Sequence, residues 1–248
     1  MKTARAFFRL IFLVVFTALI VLTVMAANAL LGFSSGWPMR IRRFWACNCL
    51  RIMGVRLTVR GEVPSFPCLM LSNHRSSMDP LLILERVMAF PVSKAEVAQW
   101  PILGYGAKAS GIVFLQRESM TSRKNTLNAI AETIRKGWPV LLFPEGTTVG
   151  TPHTGPLFRG SFTLAIKENL PVLPVAVEYG SDADYWVGKT PFLTHFVECY
   201  GQKRVFACVQ YGTPLVAEDA ESLRQKVQEW LDHQLNALRA SRGEWTEK

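Results

Sequence analysis

A long stretch without charge near the N-terminus constrains this chain more than any other feature. No charged residue occurs between Arg9 and Arg40, and the 24 residues from Leu10 to Phe33 are mostly apolar. As a helix this stretch is about 36 Å long, which exceeds the roughly 30 Å hydrocarbon core of a bilayer. The pattern predicts a membrane-spanning or deeply embedded helix.

The same region also has the layout of a cleaved signal sequence. Lys2, Arg5 and Arg9 form a basic start, an apolar run follows, and Ala27-Asn28-Ala29 resembles a cleavage site. The positive-inside rule does not decide the orientation, because arginines on the C-terminal side of the run balance the basic start. Both interpretations stay open on the sequence.

Positive charge is concentrated in the first third of the chain. The 248 residues carry 28 Lys and Arg against 19 Asp and Glu, a net charge of +9, and residues 1–84 hold ten basic and two acidic side chains. With 49% apolar and 19% charged residues, the composition excludes disordered and low-complexity chains. A basic segment beside a long apolar run favours a membrane-surface protein over a nucleic-acid-binding module.

The segment Trp37–Met53 mixes four arginines with aromatic and aliphatic residues. One interpretation is a helix in the headgroup layer of a membrane, with its arginines on phosphates and its aromatic rings at the interface. The alternative is a basic helix that packs its apolar stripe on the domain. Either helix could form a hairpin with the one before it.

The five cysteines form no metal-binding pattern. There is no C-x-x-C pair and no accompanying histidine cluster. Cys68 and Cys208 lie in apolar, strand-like runs and are predicted to be buried. The sequence therefore implies neither a metal, nor a bound cofactor, nor an oxidising compartment.

From residue 55 onward, short apolar runs alternate with helical patterns, which predicts an α/β fold. We expect residues 1–54 to form N-terminal membrane-anchoring helices. Residues 55–248 should form one α/β domain, with a mostly parallel or mixed sheet of about seven strands flanked by helices. The predicted strands are Val55–Arg60, Cys68–Ser72, Phe90–Lys94, Ile112–Gln116, Pro139–Phe143, Val172–Glu178 and Val205–Tyr211. The predicted helices are Pro80–Met88, Trp100–Ala109, Ser122–Lys136, Arg159–Asn169 and Glu218–Ala240.

A histidine and an aspartate follow the second of these strands. His74 and Asp79 are five residues apart at a predicted strand-to-helix turn, so the carboxylate can return to one imidazole nitrogen. That contact would orient the ring and leave the other nitrogen as a general base. Asp79 could instead serve only as a cap, because Pro80 suits the first turn of the next helix.

A second polar cluster follows the strand that ends at Phe143. Glu145, Gly146 and Thr147 form a turn whose backbone N–H groups could face an anion or an alcohol at the edge of the sheet. We expect Glu145 where the strand opens to solvent. An ordinary turn with the carboxylate in water is the alternative.

Two further basic residues follow predicted strands. Lys94 ends one strand, and Arg117 lies just past another, where its guanidinium could hold a phosphate with two hydrogen bonds. Arg117 could also be a surface residue paired with Glu118.

Four motifs in order, NHRSSMD, GIVFLQR, FPEGTT and LPV, resemble those of the glycerolipid acyltransferases. They are most similar to the 1-acylglycerol-3-phosphate (lysophosphatidate) acyltransferase family, and the resemblance covers roughly residues 55–212. It implies that His74 and Asp79 are the catalytic pair and that Arg117 helps bind the acceptor phosphate. It also implies that Glu145 and Gly146 help place the acceptor, with Thr147 and Lys94 in the same site. The fourth motif maps to Pro174, near the acyl-donor site.

One departure from the family pattern is that Val149 and Gly150, rather than a serine, follow Thr148 at the end of the third motif. This difference bears on acceptor choice.

The resemblance implies transfer of a fatty acyl chain from acyl-CoA or acyl-carrier protein to a lysolipid hydroxyl, giving phosphatidate when the acceptor is 1-acylglycerol-3-phosphate. His74 would act as general base, without a metal, a cofactor or a nucleic-acid partner. Another lysolipid acceptor, such as lyso-ornithine lipid or a lysophospholipid, is the nearest alternative. A non-catalytic lipid-binding membrane protein is an alternative of another class. The expected location is the inner membrane of a bacterium, bound to its phospholipids, with the catalytic domain on the cytoplasmic side.

Overall fold

The computed structural model describes residues 1–31, 36–99, 104, 106, 112–115 and 120–246. Its strands are β1 (Val55–Arg60), β2 (Leu69–Ser72), β3 (Phe90–Lys94), β4 (Val113–Leu115), β5 (Val140–Leu142), β6 (Val172–Tyr179) and β7 (Val205–Tyr211). Its α-helices are α1 (Lys2–Leu31), α2 (Gly36–Met53), α3 (Asp79–Leu84), α4 (Met120–Arg135), α5 (Gly160–Lys167), α6 (Phe192–Tyr200), α7 (Ala220–Ala240) and α8 (Arg242–Thr246). Short 3-10 helices span Ala95–Gln99 and Asp182–Asp184.

The described strands form one mixed sheet in the order β1-β7-β6-β2-β5-β3-β4. Every neighbouring pair is parallel except β6 and β7, which are antiparallel. The predicted α/β class and the mixed seven-stranded sheet are therefore confirmed. Because β6, β2, β5, β3 and β4 are mutually parallel, their carboxyl ends lie along the same edge of the sheet.

Element boundaries differ from the prediction mainly at helix ends. The helix predicted over Pro80–Met88 begins one residue earlier and ends at Leu84, and α6 was not predicted. The helix predicted over Trp100–Ala109 lies outside the described residues, apart from Gly104 and Gly106. Tertiary packing decides where a short helix ends, because intrinsic helix propensity alone contributes little to its stability.

The sheet has an apolar core on each face. Alternate residues of one strand point to opposite sides, so Met70 packs with α2, α3 and α6, whereas Leu69 and Leu71 pack with α4, α5 and α7. The two clusters together bury the strands completely in the centre of the sheet, as expected for strands covered by helices on both faces.

The long helix α1 is partly docked on the domain. Ala6 is buried in the core, and the Arg9 guanidinium donates to the carbonyls of Tyr200, Gln202 and Lys203 at 2.8, 2.7 and 3.0 Å, just past α6. Part of α1 therefore packs into the core of the domain.

Most of α1 nevertheless exposes apolar side chains. It is the one helix in the described part of the chain that is long and apolar enough to cross a membrane. Only 11% of its most apolar stretch is buried. The exposed large side chains are Phe7, Phe8, Ile11, Phe12, Val14, Val15, Leu19, Leu22, Met25 and Leu30. An apolar surface of this extent indicates contact with lipid.

Helix α2 packs its apolar stripe on the domain. Met39, Ala46 and Met53 are buried, and α2 ends at Met53, one residue before the Gly54 turn that leads into β1. The buried Arg42 donates to the Ala89 carbonyl, so not every arginine of this segment points to lipid phosphates. Contact with lipid headgroups is therefore expected only for the exposed residues of α2, such as Arg40 and Phe44.

Candidate active site

The sheet edge formed by the parallel strand ends brings the first and third motifs together. β2 pairs with β5 in the register Leu71 to Leu142, so the residues that follow both strands leave the sheet side by side. The polar residues that leave at this point are His74 after β2 and Glu145 after β5. This is the edge at which open α/β sheets bind ligands.

His74 and Asp79 are in direct contact. Nδ1 of His74 lies 2.7 Å from Oδ2 of Asp79, while the side chain of His74 is 17% exposed and that of Asp79 is fully buried. In the described part of the molecule, Nε2 has no hydrogen-bond partner. A ring held through Nδ1 with a free Nε2 is the arrangement that a general base needs.

Asp79 does not serve as a cap for α3. Its Oδ2 also accepts the backbone N–H groups of Arg75 and Ser76 at 2.6 and 2.9 Å, so the carboxylate closes the turn before the helix. Its Oδ1 accepts the Tyr179 hydroxyl at 2.7 Å. The carboxylate is thus held by four donors and has little freedom to rotate away from His74.

The His74 ring rests against the end of β5. It stacks on Phe143 with ring centroids 4.2 Å apart and an interplanar angle of 23°. The stack and the carboxylate together define both the plane and the direction of the imidazole. Two strands that are neighbours in the sheet therefore contribute to one ring orientation.

Glu145 is buried rather than open to solvent, which corrects the expectation from the sequence. It is 4% exposed, and it accepts the His74 backbone N–H at 2.5 Å through Oε2 and the Gly155 N–H at 2.8 Å through Oε1. Burial raises its pKa to about 7, although both hydrogen bonds and the Arg75 charge oppose that rise. In this structure the carboxyl group holds the backbone of His74.

The next two residues of the third motif differ in accessibility. Gly146 is buried and has φ of +70°, a conformation that favours glycine, and its N–H donates to the Phe143 carbonyl at 3.1 Å. Thr147 is exposed at the mouth of the turn. At this turn, the side chain of Thr147 is therefore the one that faces solvent.

Arg75, inside the first motif, is also fully buried. It donates to the carbonyls of Val149, Thr151 and Pro152 at 2.9, 2.6 and 3.1 Å, which joins the histidine turn to the loop after β5. Its guanidinium lies 3.8 Å from the buried carboxylate of Glu178. Arg75 adds to the positive charge of the first third of the chain, but its guanidinium lies in the protein interior and not at a lipid surface.

The remaining predicted site residues lie apart from His74 and Asp79 or outside the described part. Pro174 is buried in the middle of β6, opposite Leu71, about 10 Å along the strand from the level of Asn73 and Val177. Lys94 ends β3 on the same sheet edge, and nothing is described of its side chain. Arg117 lies outside the described residues.

Sequence reasoning missed several residues that hold this site. They are Tyr179 and Glu178 at the end of β6, Gly155 beside Glu145, and Asp232 of α7, which accepts the Thr154 N–H and hydroxyl at 2.7 and 2.8 Å. Only the first two had a signal, since Glu178 ends a predicted strand and Tyr179 directly follows it. Contacts between distant segments leave no local pattern.

The buried cysteines Cys68 and Cys208 are poorly suited to act as nucleophiles. Burial raises the pKa of Cys68 to about 12 and that of Cys208 to about 11, which keeps both thiols protonated and weak as nucleophiles. Among the described residues, no three His, Cys, Asp or Glu side chains lie close enough to hold a metal ion. The arrangement that stands out is a histidine with a buried carboxylate partner, a pair whose chemistry suits a general base.

An acyltransferase family model matches residues 56–178, the part of the chain that contains this site. A lyso-ornithine lipid O-acyltransferase from Pseudomonas aeruginosa is 30% identical over 76% of this chain and 76% of its own. One from Rhodobacter capsulatus is also 30% identical, over 70% of this chain and 67% of its own. The fold matches the crystal structure of the 1-acyl-sn-glycerophosphate acyltransferase PlsC from Thermotoga maritima, with a TM-score of 0.75, 19% identity and 97% and 98% of the two chains covered.

The matched family and the named relatives are acyl-transferring enzymes. The chain belongs to the glycerolipid acyltransferase superfamily and is an acyltransferase of the lysolipid type. Together with its bacterial relatives, the apolar helix α1 indicates association with a membrane.

Proposed function

We propose that this enzyme transfers a fatty acyl chain from a thioester donor, acyl-CoA or acyl-carrier protein, to the free hydroxyl of 1-acylglycerol-3-phosphate. The observation that carries the chemistry is the 2.7 Å contact between His74 Nδ1 and Asp79, which leaves Nε2 available on a side chain that is 17% exposed. Phosphatidate and a free thiol are the products.

In this mechanism, Nε2 of His74 takes the proton of the acceptor hydroxyl as the oxygen attacks the thioester carbonyl carbon. The new C–O bond gives a tetrahedral intermediate, and the imidazolium is stabilised by the buried Asp79 carboxylate. The C–S bond then breaks, and the departing thiolate takes the proton back from Nε2. No covalent acyl-enzyme is required, which agrees with the protonated state of the buried cysteines.

The third motif supports the reaction by holding His74. Glu145 fixes the histidine backbone N–H, and Arg75 ties the same turn to the loop after β5. We assign placement of the acceptor to Gly146, Thr147 and Lys94, and a role near the acyl donor to Pro174. Arg117 would bind the acceptor phosphate.

A second acceptor is favoured by a specific observation. Two relatives that match most of this chain are named lyso-ornithine lipid O-acyltransferases. Such an acceptor would undergo the same chemistry at its own hydroxyl, and it carries no phosphate for Arg117 to bind.

The exposed face of α1 would keep the enzyme at its lipid substrates. Residues 1–54 would be the anchoring segment, placed in the inner membrane of a bacterium. A cytoplasmic orientation of the catalytic domain would give it access to acyl-CoA or acyl-carrier protein, which are soluble donors.

The test is acyl transfer by purified enzyme in detergent, with labelled acyl-CoA and either 1-acylglycerol-3-phosphate or lyso-ornithine lipid. His74→Ala should lower kcat at least about 1000-fold, whereas the control His233→Ala, on the exposed surface of α7, should leave it unchanged. Equal activity of His74→Ala and the wild type would overturn the mechanism.

The same assay assigns the acceptor. We expect the higher kcat/KM with 1-acylglycerol-3-phosphate, and Arg117→Ala should reduce transfer to this acceptor more than transfer to lyso-ornithine lipid. A higher kcat/KM with lyso-ornithine lipid, unaffected by Arg117→Ala, would replace the first acceptor by the second.

A further inference from the structure

The catalytic carboxylate has a second oxygen whose partner comes from a distant strand. Oδ2 of Asp79 contacts His74 and two backbone N–H groups, whereas Oδ1 accepts one hydrogen bond from the described residues, the 2.7 Å bond from the Tyr179 hydroxyl. Both Asp79 and Tyr179 are buried, with 0% and 1% of their surface exposed. Water therefore has little access to take the place of the phenol.

We propose that Tyr179 is a positioning residue that holds Asp79 against His74 and so sets the rate of acyl transfer. The inference rests on the proposed role of His74 and Asp79. A carboxylate bound at only one oxygen can rotate about its Cβ–Cγ bond, and here such rotation would carry Oδ2 away from Nδ1. The phenol prevents this by bonding the opposite oxygen.

The chemistry of Tyr179 suits a permanent donor. Burial and the neighbouring Asp79 charge raise its pKa well above the ordinary value for tyrosine, so the hydroxyl keeps its proton throughout the working range of the enzyme. Without this bond, Oδ1 would be a buried, charged oxygen with no donor. The free-energy cost of leaving such an oxygen unpaired exceeds the net contribution of one hydrogen bond to stability.

The backbone around Tyr179 is well fixed. The residue ends β6, where it pairs with Ala207 of β7, and its ring meets Tyr185 edge to face with centroids 6.0 Å apart. Two residues earlier, Val177 exchanges two hydrogen bonds of 2.8 and 2.9 Å with the Asn73 side chain. The end of β6 and the start of the histidine turn are thus joined directly.

Adjacent residues of β6 support the turn from its two sides. Tyr179 contacts Asp79 on one face of the sheet, while Glu178 contacts Arg75 on the other, because neighbouring side chains of a strand point in opposite directions. Glu178 also pairs with Arg239 at the end of α7 and with Arg242. The histidine turn is therefore supported by a strand that belongs to neither the first nor the third motif.

The test replaces Tyr179 with phenylalanine and uses Tyr200→Phe as the matched control. Tyr200 is equally buried in the same core, and its hydroxyl has no hydrogen-bond partner among the described residues. Tyr179→Phe should lower kcat about tenfold with KM changed less than twofold, which corresponds to about 1.4 kcal/mol in the transition state. Tyr200→Phe should keep both constants within twofold.

A double-mutant cycle separates positioning from general support of the fold. In an Asp79→Ala background, adding Tyr179→Phe should change kcat less than twofold, since the residue acts through the carboxylate that has been removed. The double variant removes both partners of the bond and leaves no unpaired charge, so it remains measurable even where the single variant folds poorly. A further tenfold loss in this background would overturn the inference.

The outcomes also separate this inference from the proposed function. If His74→Ala is inactive but Tyr179→Phe has wild-type kcat, the positioning role is wrong and the general-base mechanism stands. If His74→Ala keeps wild-type activity, the mechanism fails, and the positioning role fails with it.

Discussion

Glu145→Gln exchanges a buried carboxyl group for an amide of the same shape at the centre of the site. The wild-type carboxyl accepts two backbone N–H groups, from His74 and Gly155, at 2.5 and 2.8 Å. The glutamine oxygen can accept one of them, but its NH₂ group then faces the other donor. The substitution therefore removes a titratable group and one of two hydrogen bonds.

The raised pKa of Glu145 gives the size of the effect on stability. Burial moves the pKa from 4.5 to about 7, and each unit corresponds to about 1.36 kcal/mol, so the group contributes at most about 3 kcal/mol. Because the pKa in the folded state is the higher one, this contribution is fully present below about pH 4.5. It is lost as the pH rises through about 7. The free energy of unfolding of Glu145→Gln should lack this dependence.

The assay is denaturant unfolding of the detergent-solubilised protein between about pH 5 and pH 8. The difference in free energy of unfolding, wild type minus Glu145→Gln, should fall by about 2–3 kcal/mol across this range. Glu62→Gln, at an exposed position, is the control and should run parallel to the wild type. Parallel curves for wild type and Glu145→Gln would refute the assignment of this titration to Glu145.

The same variant should lose activity, because Glu145 holds the backbone of His74. A hydrogen bond to a charged group contributes about 1.5–3 kcal/mol, so we expect kcat at about pH 8 to fall by a factor of about 10 or more. Unchanged kcat together with the expected stability curve would show that the turn keeps His74 in place without Glu145.

Three further substitutions test the contacts that surround the site. Arg75→Lys should lower the free energy of unfolding by about 2–4 kcal/mol, since one ammonium cannot reach three carbonyls and Glu178 from a buried position; an unchanged denaturation midpoint would contradict this. Asp232→Ala should reduce stability by about 1 kcal/mol and lower kcat, because Thr154 loses its acceptor, whereas Asp232→Asn keeps an oxygen and should preserve most of both. Arg9→Ala should increase proteolysis near residue 200 in detergent, since three carbonyls lose their donor. The control Arg40→Ala, at an exposed position, should not change it. Equal cleavage rates for the two variants would argue against docking of α1.

Local sequence patterns were sufficient for the strands and for the two polar residues of the first motif. β1, β3 and β7 have the bounds that were expected from their short runs of β-branched and apolar residues. The five-residue spacing of His74 and Asp79 predicted their contact, since one turn of chain brings the carboxylate back to the ring.

The expectation for Glu145 failed for a physical reason. A carboxylate after a strand is usually solvated, but here the loop that contains Gly155 covers it and supplies an N–H group. That cover depends on a loop ten residues further along the chain and on Asp232 of α7, which holds Thr154. No pattern around Glu145 indicates either contact.

The sequence by itself determined the α/β class, an apolar helix long enough to span a bilayer, and the contact between His74 and Asp79, because each depends on residues close together in the chain. Only the tertiary structure decided what surrounds that pair. Parallel pairing of β2 with β5 and β6 brings Phe143 and Tyr179 to the histidine turn, and burial turns Glu145 and Arg75 from surface charges into supports of its backbone. These contacts join segments up to about a hundred residues apart, and only packing of the sheet creates them.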